Sequence, residues 1–397
     1  MIKLKILGTI GVGEIVAMGF LPFIPISECW KNGYIRKFVF LLLLWLLAIV
    51  FSDAYNNSEL VNFLKGFFNV VIIIVLLPVV YWGLYDKPER LIYFVIGTGI
   101  SKLFSYYVID IHTFKSVFNA QMWMVYAYLP ITIGVSGFLY YRGRKWMAII
   151  LMEGFALWTL FNLSRHVFLI TTIAICLLLI INNGRVRKTY DYIRIPTSKV
   201  VMMIMVAAIG FVGVKYGYET LATSGALGER AYVKYISQKN SKMGLASGRG
   251  DFVQAVFAIS KEPIWGYGSY AKNTDHFFRE FNKAADLGVR NTGKVEPSHM
   301  PTHSYILGAW VSAGILAVPF WIYALYLSIS FLFRYSCFDA RMALVNLEFG
   351  CLMIWNILFS PLQNRLDFLF FMIISCIVIQ RAHSTLKRQY KSNLVLR

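Results

Sequence analysis

Three side chains stand out from an otherwise apolar chain. Arg165 lies in Asn162-Leu-Ser-Arg-His166, Arg249 in Ser247-Gly-Arg-Gly-Asp251, and His303 in Pro301-Thr-His-Ser-Tyr305. Two guanidinium groups offer planar, bidentate donors to phosphate oxygens. A helix beginning at Arg249 would add free N–H groups and the positive end of a dipole. An imidazole, whose ordinary pKa is about 6.5, can take a proton near neutral pH. Such a set suits group transfer from a lipid diphosphate, with His303 as general base. Each residue alone also has a plainer reading. Arg165 could be an interfacial arginine reaching for headgroups, Arg249 a solvated partner of Asp251, and His303 a structural histidine. His299, His276, Lys261 and Arg365 are secondary candidates, each also read as loop solvation or interface anchoring.

The elements that must position these residues are set by composition. The 397 residues are 58% hydrophobic and 15% charged, with mean hydropathy +0.59. Soluble domains carry roughly 25% charged residues, so this is a membrane composition. Apolar runs long enough to cross a roughly 30 Å hydrocarbon core recur along the chain. The expected spans are 4–26, 38–52, 63–85, 91–110, 118–141, 145–163, 166–183, 199–217, 304–333, 341–358 and 366–381. The first is read as a retained helix rather than a cleaved leader. Glu14 sits within it, and Lys102, Gly97 and Gly99 interrupt the fourth. The expected fold class is all-α, a polytopic transmembrane helix bundle of about 11–12 spans with one large periplasmic loop.

The net charge of +19 points to membrane orientation and anionic lipid rather than nucleic acid, because the basic residues cluster between apolar runs. Three such clusters fall on one face: Arg142, Arg144 and Lys145; Arg185, Arg187, Lys188, Arg194 and Lys199; and Arg381, Lys387, Arg388, Lys391 and Arg397. That face is expected in the cytoplasm. An odd span count then puts the N-terminus outside, against Lys3 and Lys5. A half-span, or a re-entrant pair around Gly11 and Gly13, would remove the conflict.

The chain is expected to divide into an N-terminal transmembrane bundle (1–217), a large periplasmic loop with short helices (218–303), and C-terminal spans with a basic cytoplasmic tail (304–397). The long loop has a soluble composition, and loops of that length are usually functional. Phe252, Val256 and Ile259 form a helical stripe over Asp251–Ser260. Pro263 ends it, and Trp265-Gly-Tyr-Gly268 reads as a turn. Cys29, Cys176, Cys337, Cys351 and Cys376 all lie outside the loop, so it is expected to fold without disulfides, and no spacing suggests a zinc site. Cys29 and Cys337 are expected in basic connections.

In order along the chain, these motifs resemble the O-antigen polymerase and O-antigen ligase superfamily of bacterial envelope enzymes. A span ends in Ser164-Arg165. Gly248-Arg249 opens a loop helix, followed by the Pro-x-x-Gly-x-Gly turn Pro263–Gly268. Then come His303-Ser304, nine residues, and Gly314. The motifs cover about 155–320.

The resemblance implies a fold like the GT-C-type membrane glycosyltransferases, in the bacterial inner membrane. It implies metal-independent, inverting glycosyl transfer at the periplasmic face, without a cofactor, from a glycan on undecaprenyl diphosphate. Arg165 and Arg249 would bind the diphosphate and His303 would activate the acceptor hydroxyl. The implied partners are the undecaprenyl-diphosphate-linked oligosaccharide, membrane lipid and a chain-length regulator protein, with no nucleic acid. After the motif glycine the chain reads Gly314-Ile-Leu-Ala-Val-Pro319. That departs from the further Gly-Thr-Thr common in the ligases, and Leu307-Gly-Ala-Trp310 looks more like the polymerases. Polymerase is therefore the favoured reading, with ligase as the alternative. A lipid-linked oligosaccharide flippase or transporter is the alternative outside enzymes. It would need a polar path through the bilayer, for which Glu14, Lys102, Glu153 and Glu348 are few and scattered.

Overall fold

The computed structural model describes residues 3–5, 9–104, 107, 117–161, 164–182, 205, 216–217, 219–221, 223–225, 232, 235–236, 250–272, 300, 304–336, 338–360 and 365–395. Apart from one short hairpin of β1 (Lys3–Lys5) and β2 (Thr9–Gly11), its regular elements are helical. In chain order these are α1 (Val12–Gly19), α2 (Ile26–Trp30), α3 (Gly33–Tyr55), α4 (Leu60–Tyr85), α5 (Arg90–Phe104), α6 (Val117–Tyr141), α7 (Lys145–Phe161) and α8 (Arg165–Asn182). They are followed by α9 (Gly250–Lys261), α10 (Tyr305–Ala313), α11 (Val318–Ser330), α12 (Ala343–Phe359) and α13 (Arg365–Val395). The all-α membrane architecture is as expected. Gly33–Tyr55, Leu60–Tyr85, Ile315–Tyr335 and Arg365–Thr385 are long and apolar enough to cross a bilayer, and Val125–Tyr141, His166–Ile180 and Ala343–Phe359 are shorter apolar helices.

Two expected spans are corrected. The run 4–26 is not one helix. It holds the hairpin, the eight-residue α1 and a 3₁₀ turn at Leu21–Phe23, before α2 begins at Ile26. Pro22 and Pro25 interrupt the helix. Both α1 and α2 pack on α4, so the half-span alternative is closer to the fold than a continuous helix. Cys29, expected in a connection, is buried in α2. The run 304–333 also breaks. Here α10 stops at Gly314, a 3₁₀ turn covers Ile315–Ala317, and α11 continues into a π-helical turn at Phe331–Tyr335. The expected span 199–217 falls almost wholly outside the described residues, as does Cys337.

Local chemistry sets the helix ends. Asn32 caps α3 by accepting from the backbone N–H of Tyr34 (2.9 Å) and Ile35 (3.3 Å), and its side-chain amide donates to the Cys376 carbonyl of α13 (3.2 Å). Ser304 caps α10 by accepting from Leu307 N–H (3.2 Å). Of the two glycines in the fourth span, α5, Gly99 serves packing. A Cβ on Gly99 would lie 2.9 Å from Ile131 N of α6, so the missing side chain lets the two backbones approach. Lys102, expected to interrupt the span, lies in the last turn of the continuous α5 and pairs with Asp367 of α13 at 3.3 Å.

The bundle has two distinct ends. At the basic end, Arg142 lies over the Phe138 ring, Arg341 over Tyr141 and Arg381 over Tyr85. At the other end α3 finishes with Ser52, Asp53 and Asn56, and α10 lies across the bundle. Ser304 Oγ, at the start of α10, donates to the Ile357 carbonyl of α12 (2.9 Å). Near its finish, the Ser312 carbonyl accepts from Ser52 Oγ of α3 (2.8 Å). An aromatic core drawn from α3, α10, α11 and α13 supports this crossing helix. Trp321 sits 5.1 Å from Trp45, 5.2 Å from Tyr305 and 5.1 Å from Phe368, ring centre to ring centre. Trp321 and Phe368 are fully buried. Rings of this size dominate core energetics through the area they remove from solvent.

Candidate functional site

The Pro-x-x-Gly-x-Gly turn is clamped to the bundle at several points. Asp53, buried in the last turn of α3, accepts from Ser269 N–H (2.6 Å) and Ser269 Oγ–H (2.7 Å). Asn56 donates to the Gly266 carbonyl (3.0 Å), Tyr267 N–H to the Val311 carbonyl (2.8 Å), and Trp310 Nε1–H to the Pro263 carbonyl (2.7 Å). The Tyr55 and Trp265 rings stack at 5.4 Å. The two motif glycines on either side of this joint meet each other. Gly266 (φ +69°) would put a Cβ 2.6 Å from the Val311 carbonyl and 2.8 Å from Gly314 N, and a Cβ on Gly314 (φ +72°) would run into the Ile264 carbonyl. Both are therefore glycine for conformation and for space. The spacing that reads as a motif in sequence is in structure one joint, between the end of α9 and the end of α10.

The expected loop helix over Asp251–Ser260 is α9, Gly250–Lys261, and it ends before Pro263. It packs on α10 through Ala255, Ala258, Met300 and Val311, all buried.

Ring contacts and a hydrogen bond then bring three helix starts around one feature, the end of α12. In the first turn of α8, His166 stacks on Trp355 of α12 (6.0 Å, 12° between planes) and lies 3.4 Å from the Tyr126 hydroxyl of α6. Trp355 lies 5.0 Å from Phe359 in the last turn of α12. Phe252, in the first turn of α9, lies 6.1 Å from Phe359. Ser304, the cap of α10, bonds to Ile357 between them. The beginnings of α8, α9 and α10 thus gather around Trp355, Ile357 and Phe359, at the end of the bundle away from the basic clusters.

The proposed functional residues are sequence neighbours of these three starts. Arg165 is the first residue of α8. Arg249 directly precedes α9 and His303 directly precedes the α10 cap, and both lie outside the described residues, as do His276 and His299. Lys261 is exposed in the last turn of α9, 5.4 Å from the Phe257 ring. Arg365, at the start of α13, holds Glu14 of α1 in a bidentate pair (Nε–Oε1 2.7 Å, Nη2–Oε2 2.8 Å) and donates through Nη1 to Asn69 Oδ1 of α4. Asn69 donates in turn to the Tyr270 hydroxyl, next to Ser269 (3.0 Å). Asp53, Ser269, Trp355 and Phe359 were not singled out in the sequence.

Residues 154–322 match the O-antigen ligase family model. No curated protein matches the chain, and no solved structure does. The matched segment begins within α7 and ends in α11, so it takes in Ser164-Arg165, the loop, the clamped turn, α10 and Gly314. The resemblance read from the ordered motifs is borne out at the level of the O-antigen polymerase and ligase superfamily.

Proposed function

We propose that this chain, an integral membrane protein whose residues 154–322 match the O-antigen ligase family, is the polymerase of a surface polysaccharide. It would transfer the growing glycan from undecaprenyl diphosphate onto a new lipid-linked repeat unit, at the periplasmic face of the bacterial inner membrane. The observation that carries this reading is the gathering of the α8, α9 and α10 starts around Trp355, Ile357 and Phe359. Three helix starts with Arg165, Arg249 and His303 as their residues or immediate neighbours suit a site that takes an anion and activates an alcohol. The basic end of the bundle lies opposite, in keeping with a cytoplasmic assignment for the basic clusters.

In this reading Arg165 and Arg249 hold the donor diphosphate. His303 accepts the proton of the acceptor hydroxyl as its oxygen attacks the anomeric carbon. The carbon–oxygen bond to the diphosphate breaks with inversion, and the leaving group keeps the electron pair against the two guanidinium groups. General-base assistance of this kind is typically worth about 10²–10⁴-fold. Fixed positive charge beside the leaving diphosphate lowers the barrier further without a metal ion. The organisation into an N-terminal bundle, a periplasmic loop and C-terminal helices, the likeness to GT-C-type enzymes and the chain-length regulator partner belong to the same proposal.

Ligase activity toward lipid A-core is the second reading, favoured by the name of the matched family. The departure at Gly314–Pro319 favours polymerase. A transport function is disfavoured because three of the four intramembrane charges have local partners: Glu14 with Arg365, Lys102 with Asp367, and Glu348 with the Thr171 hydroxyl at 2.8 Å. The lipopolysaccharide of a deletion strain separates the enzymes. Core bearing a single repeat is expected for a lost polymerase. Bare core with accumulated lipid-linked polymer would identify a ligase instead, and single lipid-linked repeat units trapped on the cytoplasmic side a flippase.

A further inference from the structure

At the basic end, on the flank between α3 and α11, a groove of about 710 Å³ opens sideways from the bundle. Gly33, Tyr34, Arg36, Lys37, Phe40, Leu41 and Tyr323 line it. Its composition is graded along α3. Arg36 and Lys37 stand exposed in the first turn, and the exposed Phe40 and half-buried Leu41 follow one turn deeper into the apolar layer. At about 1.5 Å per residue, that separates cations from apolar wall by roughly 6 Å. A smaller cavity of about 90 Å³ adjoins it, sharing Tyr34 and lined also by Tyr326, Arg334, Tyr335 and His383. The wall between the two is built rigidly. Tyr323 donates to the Tyr34 carbonyl (3.2 Å), and His383 is bracketed by the Tyr335 hydroxyl (2.7 Å) and the Tyr34 hydroxyl (3.3 Å). Arg334 stands in the π-helical turn at the end of α11, a local irregularity that is frequent at functional sites.

We infer that this groove is a binding site for one anionic glycerophospholipid of the leaflet at the basic end. Its phosphate is held by Arg36 and Lys37, and an acyl chain lies along Phe40, Leu41 and Tyr323. Charge complementarity selects the occupant. Basic pockets between membrane helices draw anionic headgroups. A soluble phosphate would leave the apolar half of the groove unfilled. A zwitterionic lipid would place its own ammonium beside two cations. The site is at the opposite end of the bundle from the gathered helix starts and is independent of the transferase reading.

The test is lipid retention by the full-length protein, measured by native mass spectrometry after delipidation and incubation with phosphatidylglycerol and phosphatidylcholine together. Wild type is expected to keep one phosphatidylglycerol with at least a tenfold preference. The double variant Arg36→Gln/Lys37→Gln should lose that preference. Leu41→Trp, which fills the groove and leaves the cations in place, should lose it too, and this arm decides the matter if the double variant does not fold. Arg142→Gln/Arg144→Gln, at the same end but off the groove, should behave as wild type. Equal retention by wild type, Arg36→Gln/Lys37→Gln and Leu41→Trp would overturn the inference. So would displacement of phosphatidylglycerol by millimolar inorganic phosphate, or preferential retention of undecaprenyl phosphate over phosphatidylglycerol.

Discussion

Asp53 and Ser269 are 216 residues apart in sequence, yet the Asp53 carboxylate takes both the backbone N–H and the hydroxyl of Ser269, at 2.6 and 2.7 Å, in a buried setting. One residue earlier on α3, Ser52 holds the Ser312 carbonyl. The end of α3 therefore grips both the turn that follows α9 and the end of α10, whose far ends carry Arg249 and His303 as sequence neighbours.

Asp53→Ala removes the acceptor and leaves the Ser269 N–H buried without a partner, which typically costs about 1–3 kcal/mol. Polymer formation is expected to fall by about 10²-fold, the usual consequence of an angstrom-scale misplacement of a reacting group. The protein should still insert and purify. Asp53→Asn keeps one acceptor oxygen and should fall between the two. Chain-length ladders on gels, normalised to membrane-inserted protein, measure the effect. Wild-type ladders in Asp53→Ala would show that the clamp does not position the site.

The joint between Gly266 and Gly314 makes a steeper prediction. In Gly314→Ala the new Cβ meets the Ile264 carbonyl, and the backbone must hold φ near +72° with a side chain attached. Left-handed strain alone is worth about 1–3 kcal/mol, and the clash forces α10 away from the turn. Gly314→Ala is expected to abolish activity and lower the thermal midpoint of the purified protein. Gly154→Ala, with nothing within 4 Å of its added Cβ, is the matched control and should be silent in both assays.

How far these features could be read in sequence depended on whether their cause was local. The stripe Phe252, Val256 and Ile259 and the stop at Pro263 are local, and α9 runs from Gly250 to Lys261 as that pattern requires. The turn glycines are local too. The breaks in 4–26 and 304–333 were masked by hydropathy. Pro22, Pro25 and Gly314 interrupt the backbone without lowering apolar content, so a length-and-hydropathy reading runs through them. Asp53 had no signal, since nothing beside it announces a partner at Ser269. Trp355 and Phe359 sit in an apolar run that reads as lipid-facing or core, and only the fold shows them linking His166 to Phe252.

Arg365 offers a separate test, because it is both a secondary site candidate and half of a buried ion pair. Glu14 is 3% exposed and meets Arg365 in a bidentate fork. Removing one partner of such a pair strands a buried charge, typically at about 3–5 kcal/mol, whereas replacing both by apolar residues is often near neutral. Arg365→Leu and Glu14→Leu should each lower thermal stability sharply, and the double variant should recover most of it. If Arg365 serves structure alone, polymer synthesis returns in the double variant. If stability returns and synthesis does not, Arg365 acts on substrate as well.

The central prediction concerns Arg165, Arg249 and His303. Alanine at any one should abolish long glycan chains while the protein still inserts. Arg249→Lys should retain part of the activity, since a point charge persists but the bidentate fork does not. The acid limb of the pH profile is the sharper readout for His303. A general base works only when unprotonated, so the rate should fall as pH drops through the ordinary imidazole range, about 6.5, and be sustained above it. In a reconstituted assay with lipid-linked repeat units, His303→Ala should lose both the bulk of the rate and that limb. His303→Gln, which can bond the acceptor hydroxyl without taking its proton, should lose the rate while substrate binding persists. A His303→Ala enzyme with the wild-type pH profile would assign proton removal to another group. Normal ladders in all three alanine variants would remove the catalytic site from this end of the bundle.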